Sequence, residues 1–111
     1  MIEKLNNLSE RFAQLEQQLA DPDVMKDMKH YKELMQERSY LAEIVEEFNK
    51  YTKIAAEIKD AELIIEAEAD HEMREMAREE LRGLETALET AEVNLRNLLG
   101  PKASRAKVTI P

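Results

Sequence analysis

The residues that could carry out chemistry are few, and the histidines are the first to consider. His30 and His71 are the only two in the chain and lie about forty residues apart. Neither has a second histidine four residues away, the spacing by which one face of a helix holds a metal ion. We therefore predict that both are exposed helix histidines and that the chain binds no metal.

Nucleophiles and acid–base pairs have little support either. The adjacent carboxylates Glu46 and Glu47 are typical of any helix this acidic, where such pairs face solvent. Ser9, Ser39 and Ser104 have no histidine close in sequence, and the chain has neither a glycine-rich phosphate loop nor a Gly-x-Ser-x-Gly elbow. We predict that this chain is not an enzyme and holds no cofactor.

Five methionines near the predicted helix ends allow two interpretations. Methionine is flexible and polarisable, so it can line an adaptable binding groove or fill irregular gaps between packed helices. We favour the second interpretation, in which the side chains fill the packing near the helix ends. The residues are Met25, Met28, Met35, Met73 and Met76.

The composition limits the class of protein. The chain has 111 residues, a formal net charge of −8, 43% apolar and 36% charged residues, and no cysteine. This length suits one domain, and the lack of cysteine fits a reducing compartment. The negative balance argues against broad phosphate binding, which needs a positive face. Because the apolar runs are too short for a membrane span or a signal peptide, we expect a cytoplasmic protein.

Helix breakers and leucine spacing define the elements. No glycine precedes position 83, and the prolines stand at positions 22, 101 and 111. Between these breakers apolar residues recur at alternating steps of three and four, which predicts helices at about 2–20, 25–68 and 70–99. The first stripe consists of Leu5, Leu8, Phe12, Leu15 and Leu19, and the last of Ala77, Leu81, Leu84, Leu88, Ala91, Leu95 and Leu98. Two interleaved heptad sets form the middle one: Leu34, Leu41, Phe48 and Ala55, with Ile44, Tyr51, Ile58 and Ile65.

The helix ends carry recognisable signals. Either Asp21 or Asp23 can cap the helix that follows the first proline, and Asp70 suits the N-cap of the third helix. Gly100 followed by Pro101 predicts a helix stop, with the glycine in the left-handed position and the proline just beyond it.

Three striped helices joined by short links predict an all-α fold, an antiparallel three-helix bundle or an elongated helical hairpin of coiled-coil type. Residues 1–100 form the helical domain, and 101–111 are a linker or the truncated start of a next domain that enters a strand at 107–110. Gly83 lies inside the third helix, where it costs about 1 kcal/mol relative to alanine, and it suggests a close helix approach.

One segment resembles a known family. Residues 70–81 read Asp-His-Glu-Met-Arg-Glu-Met-Ala-Arg-Glu-Glu-Leu, which is similar to the N-terminal helical domain of bacterial class I peptide chain release factors of the factor one type. Tyr-Lys-Glu-Leu at 31–34 and Leu-Leu-x-Pro-Lys at 98–102 agree with that domain in order and spacing, so the resemblance covers about residues 1–102.

The resemblance implies a role in translation termination on the ribosome at the stop codons UAA and UAG. The codon-reading tripeptide and the Gly-Gly-Gln motif that triggers peptidyl-tRNA hydrolysis are not among these residues. The chain then corresponds to a monomeric accessory domain whose partners are the ribosomal stalk-base region and the class II release-factor GTPase, without direct contact to nucleic acid. The alternative is a free-standing coiled-coil adaptor or structural protein.

If the chain is such a domain, its candidate contact surface is the polar face at the start of the third helix. Glu75 with Arg78, and Arg82 with Glu85, are spaced to form ion pairs along this helix. We name the whole set the charged face; it consists of Glu72, Arg74, Glu75, Arg78, Glu79 and Arg82.

Overall fold

A computed structural model describes the backbone of residues 1–108 and the side chains of residues 1–100. Helix α1 covers Ile2–Leu19, α2 covers Met28–Ala67 and α3 covers His71–Val108, with one 3-10 turn at Val24–Lys26 between the first two. The described part of the chain contains no strand. The prediction of an all-α fold built from three helices is therefore confirmed.

The first of two compact units, Met1–Glu46, contains α1 and the beginning of α2. Only eight residues separate the two helices, a connection short enough to fold α2 back against α1. The predicted stripes provide the buried side chains because their three-four spacing keeps them on one side of each helix. They are Leu5, Leu15, Leu34, Leu41 and Ile44.

The connection between α1 and α2 is built by aspartates. The Asp21 side chain accepts a hydrogen bond from the Asp23 backbone N–H at 2.9 Å, which forms the turn around Pro22. Asp27 caps α2, because its Oδ1 accepts a hydrogen bond from the backbone N–H of His30 at 3.1 Å. The prediction that Asp21 or Asp23 caps this helix is wrong: the 3-10 turn intervenes and moves the helix start to residue 28.

The second compact unit, from Glu47 onward, contains the rest of α2 and helix α3. The two helices are antiparallel, since only residues 68–70 connect them and the Asn94 side-chain amide donates a hydrogen bond back to Glu47 Oε2 at 3.2 Å. Asp70 caps α3 as predicted, accepting a hydrogen bond from the Met73 N–H at 3.0 Å. The buried residues of this unit are Phe48, Ala61, Ala77, Ala91 and Leu95.

The predicted stop at Gly100 and Pro101 is wrong, because α3 continues to Val108. No described glycine has a positive φ, so Gly100 does not take the left-handed position that ends a helix. Glycine also has no Cβ to collide with the following proline ring, which weakens the clash that usually keeps the preceding residue out of the α region. Lys107 and Val108 of the predicted strand lie in this helix, and residues 109–111 lie outside the described part.

Gly83 is also placed differently from the expectation. It is exposed on α3, and a Cβ built at this position meets nothing within 4 Å. The suggestion of a close helix approach is therefore wrong for the residues that the structure describes. Gly83 lowers the helix propensity of α3 without a packing contact that requires it.

Candidate functional site

The charged face lies on the first three turns of α3, immediately after the Asp70 cap. Five of its six side chains are exposed, and Arg74 alone is half-buried. The face therefore presents ionised groups to solvent on a rigid helix, an arrangement suited to recognising another macromolecule by charge.

Four members of the charged face form two ion pairs along α3. Arg78 pairs with Glu75, and Arg82 Nη2 lies 3.1 Å from Glu79 Oε1. The first pair was predicted; the expected partner of Arg82 was Glu85, and that prediction is wrong. In each pair that forms, the acid precedes the base, which matches the lean of helical side chains toward the N-terminus and the direction of the helix dipole.

Arg74 has a structural contact that the sequence did not reveal. Its Nη1 donates hydrogen bonds to the backbone carbonyl oxygens of Glu68 at 2.9 Å and Ala69 at 3.3 Å. These carbonyls follow the last turn of α2, where backbone acceptors have no partner inside the helix. Arg74 therefore joins the end of α2 to the start of α3, while Glu72 makes no ion pair within the described residues.

A second charged cluster, on α1 and the beginning of α2, was missed by sequence reasoning. Arg11 grips Glu37 with two parallel hydrogen bonds, Nε to Oε2 and Nη2 to Oε1, each 2.7 Å long. The hydrogen bond from Arg11 lowers the pKa of Glu37, aided by the positive charge and opposed by desolvation. The two residues are 26 positions apart, so only the folded arrangement of the helices brings them together.

A parallel contact involves Arg38. Its Nη2 lies 2.9 Å from Glu16 Oε2, and its guanidinium carbon stands 5.1 Å from the centre of the Phe12 ring. The planar cation thus covers an aromatic stripe residue while it meets an acid of the same helix. These contacts hold α1 on α2 and offer no reactive group.

The residues considered for chemistry lie apart from one another. His30 and His71 are exposed, as predicted, as is Ser39, and Glu47 is half-buried with Asn94 and Lys50 as partners. Within residues 1–100, no polar or charged side chain is fully buried. In the same described part, no group of acids and histidines has the arrangement of a metal site, and no helix is long and apolar enough to cross a membrane.

The methionines do not fill the core. All five that were considered are exposed, which contradicts the interpretation that they fill packing near the helix ends. They lie beside the buried stripes rather than on them, because their spacing from the stripe residues places them on other sides of the helices. The buried positions near the α2–α3 link are occupied by alanines, Ala61 and Ala77.

Comparison with known proteins adds a family. The model of the PCRF domain matches residues 8–110 of the chain. Over 101 residues the chain is 45% identical to peptide chain release factor 1 of Treponema denticola, which covers 91% of this chain and 28% of that protein. The factor of Agathobacter rectalis is 41% identical over 102 residues, covering 92% and 28% respectively.

A third relative shows the same extent of match. Peptide chain release factor 1 of Treponema pallidum strain Nichols is 34% identical over 104 residues, or 94% of this chain and 30% of that protein. The chain therefore spans less than a third of the length of these relatives. No solved structure matches it.

Proposed function

Because the chain belongs to the PCRF domain family, we propose that it acts as the N-terminal helical accessory domain of a class I peptide chain release factor, of the type that terminates translation at UAA and UAG. The observation that carries this proposal is the 45% identity to a release factor over 101 residues. Membership of this family does not favour the alternative of a free-standing coiled-coil adaptor.

The accessory domain neither reads codons nor hydrolyses peptidyl-tRNA by itself. The described residues support this because their ionised groups are spread over exposed helix surface, whereas catalysis needs groups held together in a site that excludes water. In a release assay with ribosomes carrying peptidyl-tRNA, the 111-residue chain added alone should release no peptide at any codon. Release that depends on a stop codon would overturn this part of the proposal.

The partners of the domain are proteins, namely the ribosomal stalk-base region and the class II release-factor GTPase, and the domain itself is a cytoplasmic monomer. Two features support contact with protein rather than RNA. The net charge of −8 repels phosphate. The charged face alternates acids and bases on a rigid helix, which suits a mixed protein surface better than a uniformly negative backbone.

Pair reversal on the charged face tests the partner claim without removing ion pairs. The double variant Glu79→Arg with Arg82→Glu keeps the two charges adjacent but exchanges their positions, so stability should change by only a few tenths of a kcal/mol. The variant is made in a chimera in which this chain replaces the matched region of the Treponema denticola factor. We expect weaker stimulation of factor recycling by the GTPase at an unchanged melting temperature.

The matched control is the pair Glu92 and Arg96, which lies further along α3 with an N–O distance of 3.1 Å. Exchanging its charges should leave both stability and GTPase stimulation as they were. If the reversal at Glu79 and Arg82 has no more effect than this control, the charged face is not the contact surface.

A further inference from the structure

Exposed apolar side chains concentrate beside the link between α2 and α3. Met76 is 71% exposed, Met73 54% and Ile64 44%. We name these three residues the hairpin-end patch. Scattered apolar residues are normal on a protein surface, but several on one side of two adjacent helices suggest a contact site.

Helix geometry places the three residues on one side of the hairpin. At about 100° of rotation per residue, Ile64 lies about 60° to one side of the buried Ala61. On α3, Met73 lies about 40° and Met76 about 100° to the same hand from the buried Ala77. An antiparallel partner reverses both the direction in which the buried side faces and the sense of rotation. Offsets of the same hand therefore lie on the same side of the helix pair.

Acidic residues occupy the remaining positions around the patch. On α2, Asp60 and Glu57 lie about 100° and about 40° to that same hand from Ala61. On α3, Glu80 lies about 60° to that hand from Ala77, and it lines a shallow open depression beside Met76. We call Glu57, Asp60 and Glu80 the acidic rim.

The acidic rim is not neutralised within the described part of the chain. None of its three residues belongs to an ion pair there, unlike Glu75 and Glu79 on the charged face. The nearest basic residue on this side of α2 is Lys53, about two turns before Asp60. The patch thus combines an apolar centre with a negative border.

From this juxtaposition we infer that the hairpin-end patch binds a basic amphipathic helix of a partner protein. Such a helix places apolar side chains on the methionines and Ile64 while its lysines and arginines meet the acidic rim. Methionine suits this role because its flexible thioether adapts to differently shaped apolar side chains. This binding surface goes beyond the proposed function, since it is separate from the charged face and does not depend on the ribosome.

The same charges disfavour other occupants. A second copy of the chain would bring three carboxylates against three carboxylates, and like charges across an interface repel. A nucleic acid would bring phosphates against the same carboxylates. A positively charged protein segment is the occupant whose charge and apolar character both match the surface.

Direct binding measures the inference with the full chain and a defined probe. The probe is a fluorescent synthetic helix of leucine and lysine with all leucines on one side, compared with a scrambled peptide of the same composition. We expect the amphipathic peptide alone to bind, more weakly as salt rises, because screening shortens the reach of the rim charges. Substitution of Met73→Gln together with Met76→Gln should weaken binding about tenfold or more, through the loss of apolar contact area.

The matched control uses the same chemistry elsewhere. Met25 and Met28 are also exposed, at 55% and 48%, so Met25→Gln with Met28→Gln removes an equal number of exposed methionines. This variant should keep full affinity, and circular dichroism should show intact helix in both variants. Equal losses in the two variants, binding of the scrambled peptide, self-association of the chain through the patch, or displacement of the peptide by an RNA oligonucleotide would each overturn the inference.

Discussion

Replacing Gly83 with alanine should make the protein more stable. The residue lies in the interior of α3, is exposed, and does not have a positive φ. Because an added Cβ would meet nothing within 4 Å, the substitution introduces no clash and buries little new surface. The helix propensity difference then determines the whole effect, and it amounts to about 0.8–1.0 kcal/mol in favour of alanine.

Urea unfolding followed by helical circular dichroism measures this gain. With a slope of about 2 kcal/mol per molar urea, the midpoint should rise by about 0.5 M without a change of slope. Serine at the same position should give an intermediate gain, since its helix propensity lies between those of glycine and alanine.

The matched control for this prediction is Ala56, which is exposed in the interior of α2. Ala56→Gly should lose about as much stability as Gly83→Ala gains. If the control loses about 1 kcal/mol while Gly83→Ala gives no gain or a loss, the reasoning about open space around Gly83 is refuted.

Three further predictions concern the interior, a helix cap and the ion pair between helices. Leu95→Ala should lower the free energy of unfolding by about 2–5 kcal/mol, because this side chain is fully buried, whereas Leu63→Ala at an exposed position should cost little; urea midpoints test both. Asp70→Ala should cost about 1 kcal/mol by removing the cap of α3, with much of it restored by asparagine, as thermal denaturation will show. The pKa of Glu37 should rise toward its ordinary value when the hydrogen bond from Arg11 is removed by Arg11→Gln, which carboxylate NMR can follow. Since the folded-state pKa of Glu37 is lowered, its contribution to stability should be complete above about pH 4.3 and disappear as the pH falls through the folded-state value, and Arg11→Gln should abolish this pH dependence.

The sequence predicted those features that depend on local periodicity. The stripe of α1 is an example: Leu5 and Leu15 are fully buried, and Leu8, Phe12 and Leu19 are half-buried, as their three-four spacing requires. The Asp70 cap was likewise readable, because an N-cap acts on residues only three positions away.

The features that the sequence did not predict depend on competing or distant partners. Asp27 caps α2 because a 3-10 turn uses the residues between it and Pro22, which periodicity does not show. The helix continues through Gly100 because the signals for stopping and for tolerating a proline share the same glycine.

The candidate site illustrates the same division. Helical spacing was enough to place the charged face on one helix and to pair Glu75 with Arg78. Spacing alone did not decide between Glu79 and Glu85 for Arg82, nor did it show that Arg74 is held by carbonyls beyond the end of α2. Which apolar residues stay exposed also depends on how the two helices face each other, so the hairpin-end patch became visible only in the fold.

Domain exchange is the most direct test of a role in translation termination. The matched region of the Treponema denticola release factor is replaced by this chain, or deleted, and peptide release and GTPase-stimulated recycling are measured at stop codons. We predict that the exchange preserves both activities and that the deletion loses the stimulation while release persists. A correctly folded exchange protein with no more GTPase stimulation than the deletion protein would contradict the proposed function.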